Sequence, residues 1–292
     1  MNSQFSVIST FSGCGGSSLG YELAGGKILL AVEFDRNAIE TYKLNFPETP
    51  IYEGDIKELT VGECLQITGL QVGELDVLDG SPPCQGFSTA GKRDFRDERN
   101  WLFKEYVRLL EGLQPKIFVM ENVSGLVKGK MKIVFAEIMR SLKGAGYKVR
   151  CRLMNAMYYG VPQQRQRVIS IGVRNDLGLE PSHPRPQTPP TPLRAICPDA
   201  LASRSQKINP WIPSWKPVCT ITKTPFKGLI KTGRGVREPT LEELKIFGSF
   251  PKDFKFAGGK QQAWERIGNS VPPLLMKAIA EHIRDNILLK IK

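Results

Sequence analysis

Histidine and cysteine are scarce in this chain, which contains two histidines and six cysteines among its 292 residues. The cysteines are scattered, at positions 14, 64, 84, 151, 197 and 219, and no two of them form a CxxC pair. Zinc sites need clustered Cys or His residues, and disulfide frameworks are typical of short, cysteine-dense secreted chains. We therefore expect neither a metal site nor a disulfide framework.

Long hydrophobic runs are also missing. No window approaches the ~20 consecutive apolar residues that a membrane-spanning helix needs. The start, "MNSQFSVIST", lacks the basic region and long apolar core of a secretory signal. We expect a protein of the cytoplasm with no membrane association.

Acidic residues are in the minority, at 29 Asp and Glu against 41 Lys and Arg, which gives a net charge of +12. Between residues 177 and 232, eight basic residues face only two acidic ones, so half of the excess lies in this segment. A scattered excess would serve solubility alone. Because this excess is partly localised, it indicates a polyanionic partner such as nucleic acid.

Short β-branched runs alternate with amphipathic stretches up to about residue 174. The expected strands are "FSVISTF", "KILLAVE", "ELDVLDG", "KIFVMENV" and "VISIGV". The expected helices between them are "SSLGYELAG", "RNAIETYKLNF", "NWLFKEYVRLLEGL" and "KIVFAEIMRSLKGAG". This alternation predicts an α/β fold with a doubly wound, mostly parallel sheet, whose ligands bind beyond the carboxyl ends of the strands.

The composition changes after this region. Ten of the 21 prolines lie between residues 181 and 217, and the same stretch contains Trp211 and Trp215. Prolines exclude long helices, and tryptophans are unusual in flexible linkers, so an irregular binding domain is expected. "PTLEELKIF" and "VPPLLMKAIAEHIRDNILL" then indicate helices, the second with prolines in its first turn. We divide the chain into residues 1–176, 177–262 and 263–292.

Three strand ends carry features suited to a nucleotide-like cofactor. Glycines 13, 15 and 16 follow the first strand, where backbone amides can approach a ligand, although such a loop is often only a turn. Glu33 ends the second strand and can accept hydrogen bonds from a ribose. Asp55 is a candidate end of another strand near the same crevice, with a turn aspartate as its ordinary alternative. A nicotinamide cofactor and an S-adenosyl cofactor fit this pattern equally well.

The segment "DVLDGSPPCQGFS" holds Cys84 directly behind two prolines. Prolines fix the backbone angles, so the chain itself sets the position of the thiol. Polar neighbours also distinguish this cysteine from an inert core thiol. Cys84 is therefore a candidate nucleophile.

Two later strands carry charged candidates. Glu121 in "VMENV" lies at a strand end and is a candidate general acid, with a salt bridge or a cap as its ordinary alternative. In "QQRQR", Arg165 and Arg167 are two residues apart, so in a strand they would share one face and could bind an anion.

Taken in order, these segments resemble the motifs of the cytosine carbon-5 DNA methyltransferases, over essentially the whole chain apart from the proline-rich part. "FSGCGGSSLGYELAG" is similar to the family's first cofactor motif, and "GSPPCQGFS" with "GKRDFRDERNWLF" to its catalytic loop. "ENV" is similar to the acid motif, "QQRQR" to the arginine motif, and "REPTLEELKIFGSFP" and "GNSVPP" to the last two motifs. The recognition region is short for the family, and Ile246, Gly248 and Ser249 depart from its usual pattern.

The resemblance implies a Rossmann-like doubly wound mixed sheet, as in class I S-adenosylmethionine-dependent methyltransferases, with a small irregular target-recognition domain. It implies methyl transfer from S-adenosylmethionine to carbon 5 of a cytosine flipped out of duplex DNA. Cys84 matches the residue that adds to carbon 6, Glu121 the residue that contacts ring nitrogen 3, and Arg165 the residue that assists at the exocyclic oxygen.

The resemblance also implies binding residues and partners. S-adenosylmethionine, and its product S-adenosylhomocysteine, would contact Phe11, Gly13, Gly15, Glu33, Phe34, Asp55, Pro83, Leu102 and Asn269. The flipped nucleotide would be positioned by Gln85, Ser88 and Arg167. Because Asn269 is distant in sequence, the C-terminal helix is expected to fold back onto the first domain. The expected partners are duplex DNA and a restriction endonuclease with the same recognition site, with a monomer as the expected assembly.

Three alternatives stay open at this point. One branch of the family acts on transfer RNA, although its usual Cys-Phe-Thr tripeptide is absent here. A catalytically silent DNA-binding relative would have no need of Cys84, Glu121 and Arg165 together. A nicotinamide-dependent dehydrogenase would not explain the thiol loop.

Overall fold

The structure is a computed structural model that describes residues 4–83, 102–129, 131–204, 211–225 and 228–291. Its main sheet has seven strands in the order β3-β2-β1-β4-β5-β8-β6, and two short sheets lie in the second half of the chain. The strands are β1 Phe5–Thr10, β2 Gly26–Glu33, β3 Ile51–Glu53, β4 Val77–Gly80, β5 Ile117–Val123, β6 Tyr147–Asn155, β7 Gln163–Gln164, β8 Gln166–Arg174, β9 Ala200–Ser203, β10 Ile212–Pro213, β11 Val218–Cys219, β12 Ile230–Thr232 and β13 Gly235–Arg237. The helices are α1 Gly16–Leu23, α2 Arg36–Asn45, α3 Val61–Thr68, α4 Leu102–Leu113, α5 Met131–Gly144, α6 Leu241–Gly248, α7 Lys260–Asn269 and α8 Pro273–Asn286.

The main sheet confirms the predicted doubly wound fold. Strands β3, β2, β1, β4 and β5 pair in parallel, and β8 then joins β5 and β6 in antiparallel pairs. All five expected strands are present. The carboxyl ends of the parallel strands share one edge of the sheet, and the change of direction along the strand order after β1 places a crevice there.

Both faces of the sheet are covered by helices, which explains why its central strands are continuous apolar runs. On one face, a core of buried side chains includes α3, α4 and α5, with Leu109 and Leu142 fully buried. On the other face, the core includes α1 and α8, with Tyr21 and Ile279 fully buried.

The C-terminal helix packs closely against the first helix of the chain. A Cβ atom at Gly20 would lie 2.5 Å from Cβ of Met276 and 2.6 Å from the carbonyl oxygen of Pro273, so only glycine fits at this crossing. Helix α8 begins with Pro273 at its first position, where a missing N–H costs nothing. Residues 273–286 thus complete the core around β1.

A second unit follows the main sheet. Its four-stranded antiparallel sheet has the order β10-β9-β12-β13, and β11 pairs with β7. A third core joins this unit to α6, α7 and α2, with Phe247, Trp264 and Tyr42 almost fully buried. The predicted boundary between residues 262 and 263 falls within α7, which packs as one element of this core. Within the described ranges, no helix is long and apolar enough to cross a membrane.

Candidate active site

A pocket of about 260 Å³ opens at the carboxyl ends of β1, β2 and β3. Its walls include five of the nine residues expected to bind the cofactor: Phe11, Glu33, Phe34, Asp55 and Leu102. They come from three strand ends and the start of α4, so the fold and not sequence proximity brings them together. Phe34 is 71% exposed, an unusual position for a large aromatic side chain and one suited to covering a planar ligand.

The carboxylate of Glu33 is held by the backbone. Its Oε2 accepts a hydrogen bond from the N–H of Gly13 at 2.7 Å, and its Oε1 accepts from the N–H groups of Phe34 and Asp35 at 2.9 Å each. Three donors fix the orientation of a side chain that is 9% exposed. This carboxylate is therefore preorganised at the pocket wall before any ligand arrives.

The glycine-rich loop has a backbone that few residues can adopt. Phe11, Gly13 and Gly15 have φ angles of 53°, 57° and 94°, in the left-handed region. Gly15 precedes α1 as its N-cap, and a Cβ atom there would lie 2.2 Å from Cε2 of Phe46. At Gly13, by contrast, an added Cβ would meet nothing within 4 Å.

This difference gives a matched pair of variants. We expect Gly15→Ala to destabilise the fold by about 2–4 kcal/mol, because it adds a clash with Phe46 to the cost of the left-handed backbone. Gly13→Ala bears only the backbone cost, about 1–2 kcal/mol. Urea denaturation of both variants measures the difference. Equal losses would show that the Phe46 contact contributes nothing.

Asn269 is brought to the same loop from the far end of the sequence. It is the exposed last residue of α7. The next residue, Ser270, lies with its hydroxyl 3.0 Å from Sγ of Cys14. The backbone after α7 thus contacts the glycine loop, although Asn269 does not itself line the pocket.

The proline pair before Cys84 is fixed by the neighbouring strand. Nδ2 of the buried Asn122 donates to the carbonyl oxygen of Pro82 at 3.2 Å. Pro83 ends the described segment, and Cys84, Gln85 and Ser88 lie outside the described residues. The sequence reasoning assigned no role to Asn122, although its place beside Glu121 at a strand end is the signal that could have found it.

The remaining cysteines are poor nucleophiles. The structure describes five, all free thiols: Cys14, Cys64, Cys151, Cys197 and Cys219. Burial raises the pKa of every one of these thiols, to about 11 or about 12 in four of them. They are protonated at neutral pH, and a thiol must lose its proton to attack. None of the five described thiols is therefore suited to nucleophilic attack.

Glu121 and Arg167 form an ion pair near the end of β5. Nε of Arg167 lies 2.6 Å from Oε1 of Glu121, and the two side chains are 13% and 10% exposed. Nη1 of Arg167 donates to the carbonyl oxygen of Gln166 at 2.8 Å. Burial lowers the pKa of the Arg167 guanidinium, and the charge of Glu121 opposes that effect. Within the described chain, Oε2 of Glu121 can still accept a hydrogen bond from a ligand, and Nη2 of Arg167 can still donate one.

Arg165 has different hydrogen-bond partners. Burial lowers the pKa of its guanidinium, on which the charges of Arg167 and Glu121 both act. It is 1% exposed, and its Nη1 donates to the carbonyl oxygen of Ile221 at 3.0 Å. Its Nη2 donates to the carbonyl oxygens of Gly268 and Ser270 at 3.0 and 2.7 Å. The partners differ because a break between β7 and β8 falls at Arg165.

A buried carboxylate that the sequence reasoning missed lies between the end of β1 and the first turns of α1. Asp79 in β4 is 1% exposed and accepts hydrogen bonds from the hydroxyls of Ser17, Tyr21 and Ser9 at 2.6, 3.2 and 3.3 Å. Burial raises its pKa from 3.8 to about 7. In the sequence, a lone aspartate inside the apolar run "DVLDG" carries no distinguishing mark beyond its polarity.

The raised pKa makes the stability of the protein depend on pH. The folded protein holds the Asp79 proton more tightly than the unfolded chain, so ionisation costs stability progressively from about pH 4 to about pH 7. We expect Asp79→Asn to be more stable than the wild type by about 2–4 kcal/mol above pH 7, and to lose this advantage below pH 4. Denaturant unfolding of both proteins at several pH values measures the difference. A constant difference would contradict this account.

The second unit presents basic and aromatic side chains together. Cζ of Arg204 lies 4.7 Å from the ring centroid of Trp211, and Nζ of Lys231 lies 5.9 Å from it. Among the residues that the structure describes, neither cation forms an ion pair with a carboxylate. Part of the basic segment predicted from the sequence is therefore free to meet an anion.

A doubly wound sheet with one antiparallel strand near its edge, and a carboxylate at the end of β2 beside a glycine loop, defines the fold of the class I S-adenosylmethionine-dependent methyltransferases. Among the described residues, no group of three or more His, Cys, Asp or Glu side chains could hold a metal ion.

Comparison with known proteins identifies the family. The sequence matches the C-5 cytosine-specific DNA methylase family over residues 5–210 and 201–285. It is 36% identical over 323 residues to the type II methyltransferase M1.HphI of Haemophilus parahaemolyticus, covering 94% of this chain and 86% of that protein. It is 32% identical over 286 residues to the type II methyltransferase M.NgoPII of Neisseria gonorrhoeae, covering 89% and 81%.

A solved structure agrees with this result at the level of the fold. The chain superposes with a TM-score of 0.79 and 23% identity on a putative DNA modification methyltransferase encoded within an E. coli prophage. The superposition covers 96% of this chain and 99% of the other. The protein belongs to the C-5 cytosine-specific DNA methylase family.

Proposed function

We propose that this protein transfers a methyl group from S-adenosylmethionine to carbon 5 of a cytosine flipped out of duplex DNA. The observation that carries the proposal is the buried ion pair between Glu121 and Arg167, close to the proline pair that leads into Cys84. A chain that only bound DNA would have no use for a desolvated ion pair there, since burying charge is costly.

The residues of the pocket fit the cofactor. The fixed carboxylate of Glu33 suits the two hydroxyls of a ribose, and Phe11, Phe34 and Leu102 supply apolar surface for an adenine ring. Asp55, which is exposed at the pocket wall, can accept from an exocyclic amine. S-adenosylmethionine, when bound, supplies a methyl group activated by a sulfonium.

The chain's own residues then act on the base. The Cys84 thiolate forms a bond to carbon 6, which makes carbon 5 nucleophilic, and the base takes up the methyl group there. Glu121 holds a proton at ring nitrogen 3 through its free oxygen, and relieves the charge that develops in the ring. A solvent-derived base then takes the carbon 5 proton. The electrons of that bond re-form the double bond between carbons 5 and 6, and the bond from carbon 6 to sulfur breaks to release the Cys84 thiolate.

We propose that Arg167, and not Arg165, assists at the exocyclic oxygen of the cytosine. Nη2 of Arg167 keeps its hydrogen-bonding capacity, whereas both terminal nitrogens of Arg165 donate to backbone carbonyls. Arg165 is then a positioning residue. By joining the segments around Ile221 and Ser270, it holds the recognition unit and the end of α7 against the start of β8.

The second unit supplies the contact with DNA. Its unneutralised cations beside Trp211 suit phosphate groups, whose contacts give affinity without sequence preference. Because the relatives are named type II methyltransferases, we further propose that the protein modifies one short sequence and protects it from a restriction endonuclease. A monomer is the proposed assembly.

Transfer of a labelled methyl group by the purified protein tests this function. Duplex DNA and transfer RNA are offered separately, and the product nucleosides are identified. We expect 5-methylcytosine in DNA. Label in RNA alone would support the RNA alternative instead, and cofactor binding without transfer to either substrate would support the catalytically silent one.

A further inference from the structure

The buried carboxylate of Asp79 has no role in the chemistry described above. Within the described chain it forms no ion pair, and its side chain contacts three hydroxyl groups, from Ser9 in β1 and from Ser17 and Tyr21 in α1. The carbonyl oxygen of the same residue accepts from Oγ1 of Thr10 at 2.9 Å. A single residue of β4 thus joins the end of β1 to the first turns of α1.

These contacts hold a carboxylate on the α1 side of the sheet, one strand away from the end of β1 that leads into the cofactor pocket. Asp79 pairs with Ser9 across the sheet, and Phe11 on the pocket wall follows Ser9 by two residues. Strand geometry therefore puts the Cα atoms of Asp79 and Phe11 about 8 Å apart, with the carboxylate of Asp79 turned toward α1. At such a separation in a partly buried site, the interaction between two unit charges changes a binding constant by roughly tenfold.

The reaction changes the charge of the molecule in that pocket. S-adenosylmethionine carries a sulfonium, and the product S-adenosylhomocysteine, which has lost the methyl group, carries a neutral thioether. A fixed negative charge near the pocket would favour the cation over the neutral thioether. This inference rests on the proposed function, because it concerns the same cofactor site.

We infer that Asp79 is a selectivity residue, whose buried carboxylate favours the cationic cofactor over the neutral product and so limits product inhibition.

Three phenols and one carboxylate act electrostatically on Asp79. Tyr21, Tyr42 and Tyr106 face it from three helices, and burial raises the pKa of each phenol, so all three stay neutral. Glu121 is the other carboxylate that acts on it, and Glu121 is paired with Arg167. The preference for the cofactor is therefore expected to grow from pH 6 to pH 8, as Asp79 ionises.

Isothermal titration calorimetry with S-adenosylmethionine and S-adenosylhomocysteine tests the inference in the full-length protein without DNA. In Asp79→Asn, which has the same shape and no charge, we expect roughly tenfold weaker binding of S-adenosylmethionine at pH 8 and unchanged binding of the product. The ratio of the two dissociation constants should lose its pH dependence.

Asp76 provides a matched control. It lies three residues before Asp79, about 10 Å further along the chain, and pairs with Lys116. Asp76→Asn removes the same charge and is expected to leave the ratio unchanged.

Unaltered selectivity in Asp79→Asn, or equal weakening of both ligands, would overturn the inference, since equal weakening is what a structural role predicts. The higher stability expected for this variant at pH 8 separates weaker binding from unfolding. If the wild type bound neither ligand, the proposed function would fail together with the inference, whereas a failure of selectivity alone would leave that function standing.

Discussion

Replacing Cys84 with alanine is expected to abolish methyl transfer, by a factor on the order of 10⁴ or more, while cofactor binding stays within about twofold. Every other cysteine that the structure describes is held protonated by burial. The chain therefore has no described thiol that could replace the nucleophile. Labelled methyl transfer and calorimetry on the same preparation measure the two quantities.

Trapping the covalent intermediate tests directly whether Cys84 forms the bond to the base. DNA with 5-fluorocytosine at the target position has no carbon 5 proton to lose, so the bond to the thiol cannot be released. We expect a stable adduct in the wild type and none in Cys84→Ala. Cys64→Ala is the control, since Cys64 is fully buried in α3 and takes no part in the site. An adduct in Cys84→Ala would exclude Cys84 as the nucleophile.

The second large effect concerns the two arginines. Substitution of one is expected to lower the rate of catalysis, and substitution of the other is expected to lower the stability of the fold. We expect Arg167→Lys to lower kcat by about 10²–10³-fold with little loss of stability. Lysine keeps the charge beside Glu121, but lacks the planar set of donors that reaches the base. Arg165→Lys should instead lower Tm by several degrees, because the carbonyls of Ile221, Gly268 and Ser270 lose their donors.

Single-turnover rates well below Tm and thermal denaturation distinguish the two roles. For Arg165→Lys we expect a rate within a few-fold of the wild type when the protein is folded. If the Arg165 variant were folded but inactive and the Arg167 variant were active, Arg165 would be the catalytic residue.

The main fold is predictable from the sequence because its central strands are buried on both faces. β1, β2, β4, β5 and β8 are continuous apolar runs, and the helices between them carry regular apolar stripes. From the sequence, β3, which has three residues, was predicted only as one of two interpretations of Asp55, and β6 was missed because its exposed positions interrupt the pattern. Their pairing with neighbours, and not their own composition, makes them strands.

Two helices were missed for different reasons. In α3, the capping box between Thr60 and Glu63 was a readable signal that the reasoning did not use. In α7, most residues are polar, and its buried Trp264 and Ile267 face a core assembled from distant segments. The local periodicity of the sequence cannot identify a packing partner that is distant in the sequence.

The candidate active site was also only partly predictable from the sequence. Residues at strand ends, such as Glu33 and Glu121, could be predicted because a parallel sheet collects its carboxyl ends at one edge. The partners of Arg165 could not, since Gly268 and Ser270 lie more than 100 residues away. Asp79 was missed because its role depends on burial, which a single aspartate in the sequence does not reveal.

Expression in a host that lacks cytosine methylation, followed by sequencing of the host DNA for 5-methylcytosine, tests the central claim most directly. A parallel culture expresses Cys84→Ala. We predict 5-methylcytosine at one short sequence motif in the first culture and none in the second. Unmethylated DNA in cells that contain soluble wild-type protein, or equal methylation in both cultures, would contradict the account.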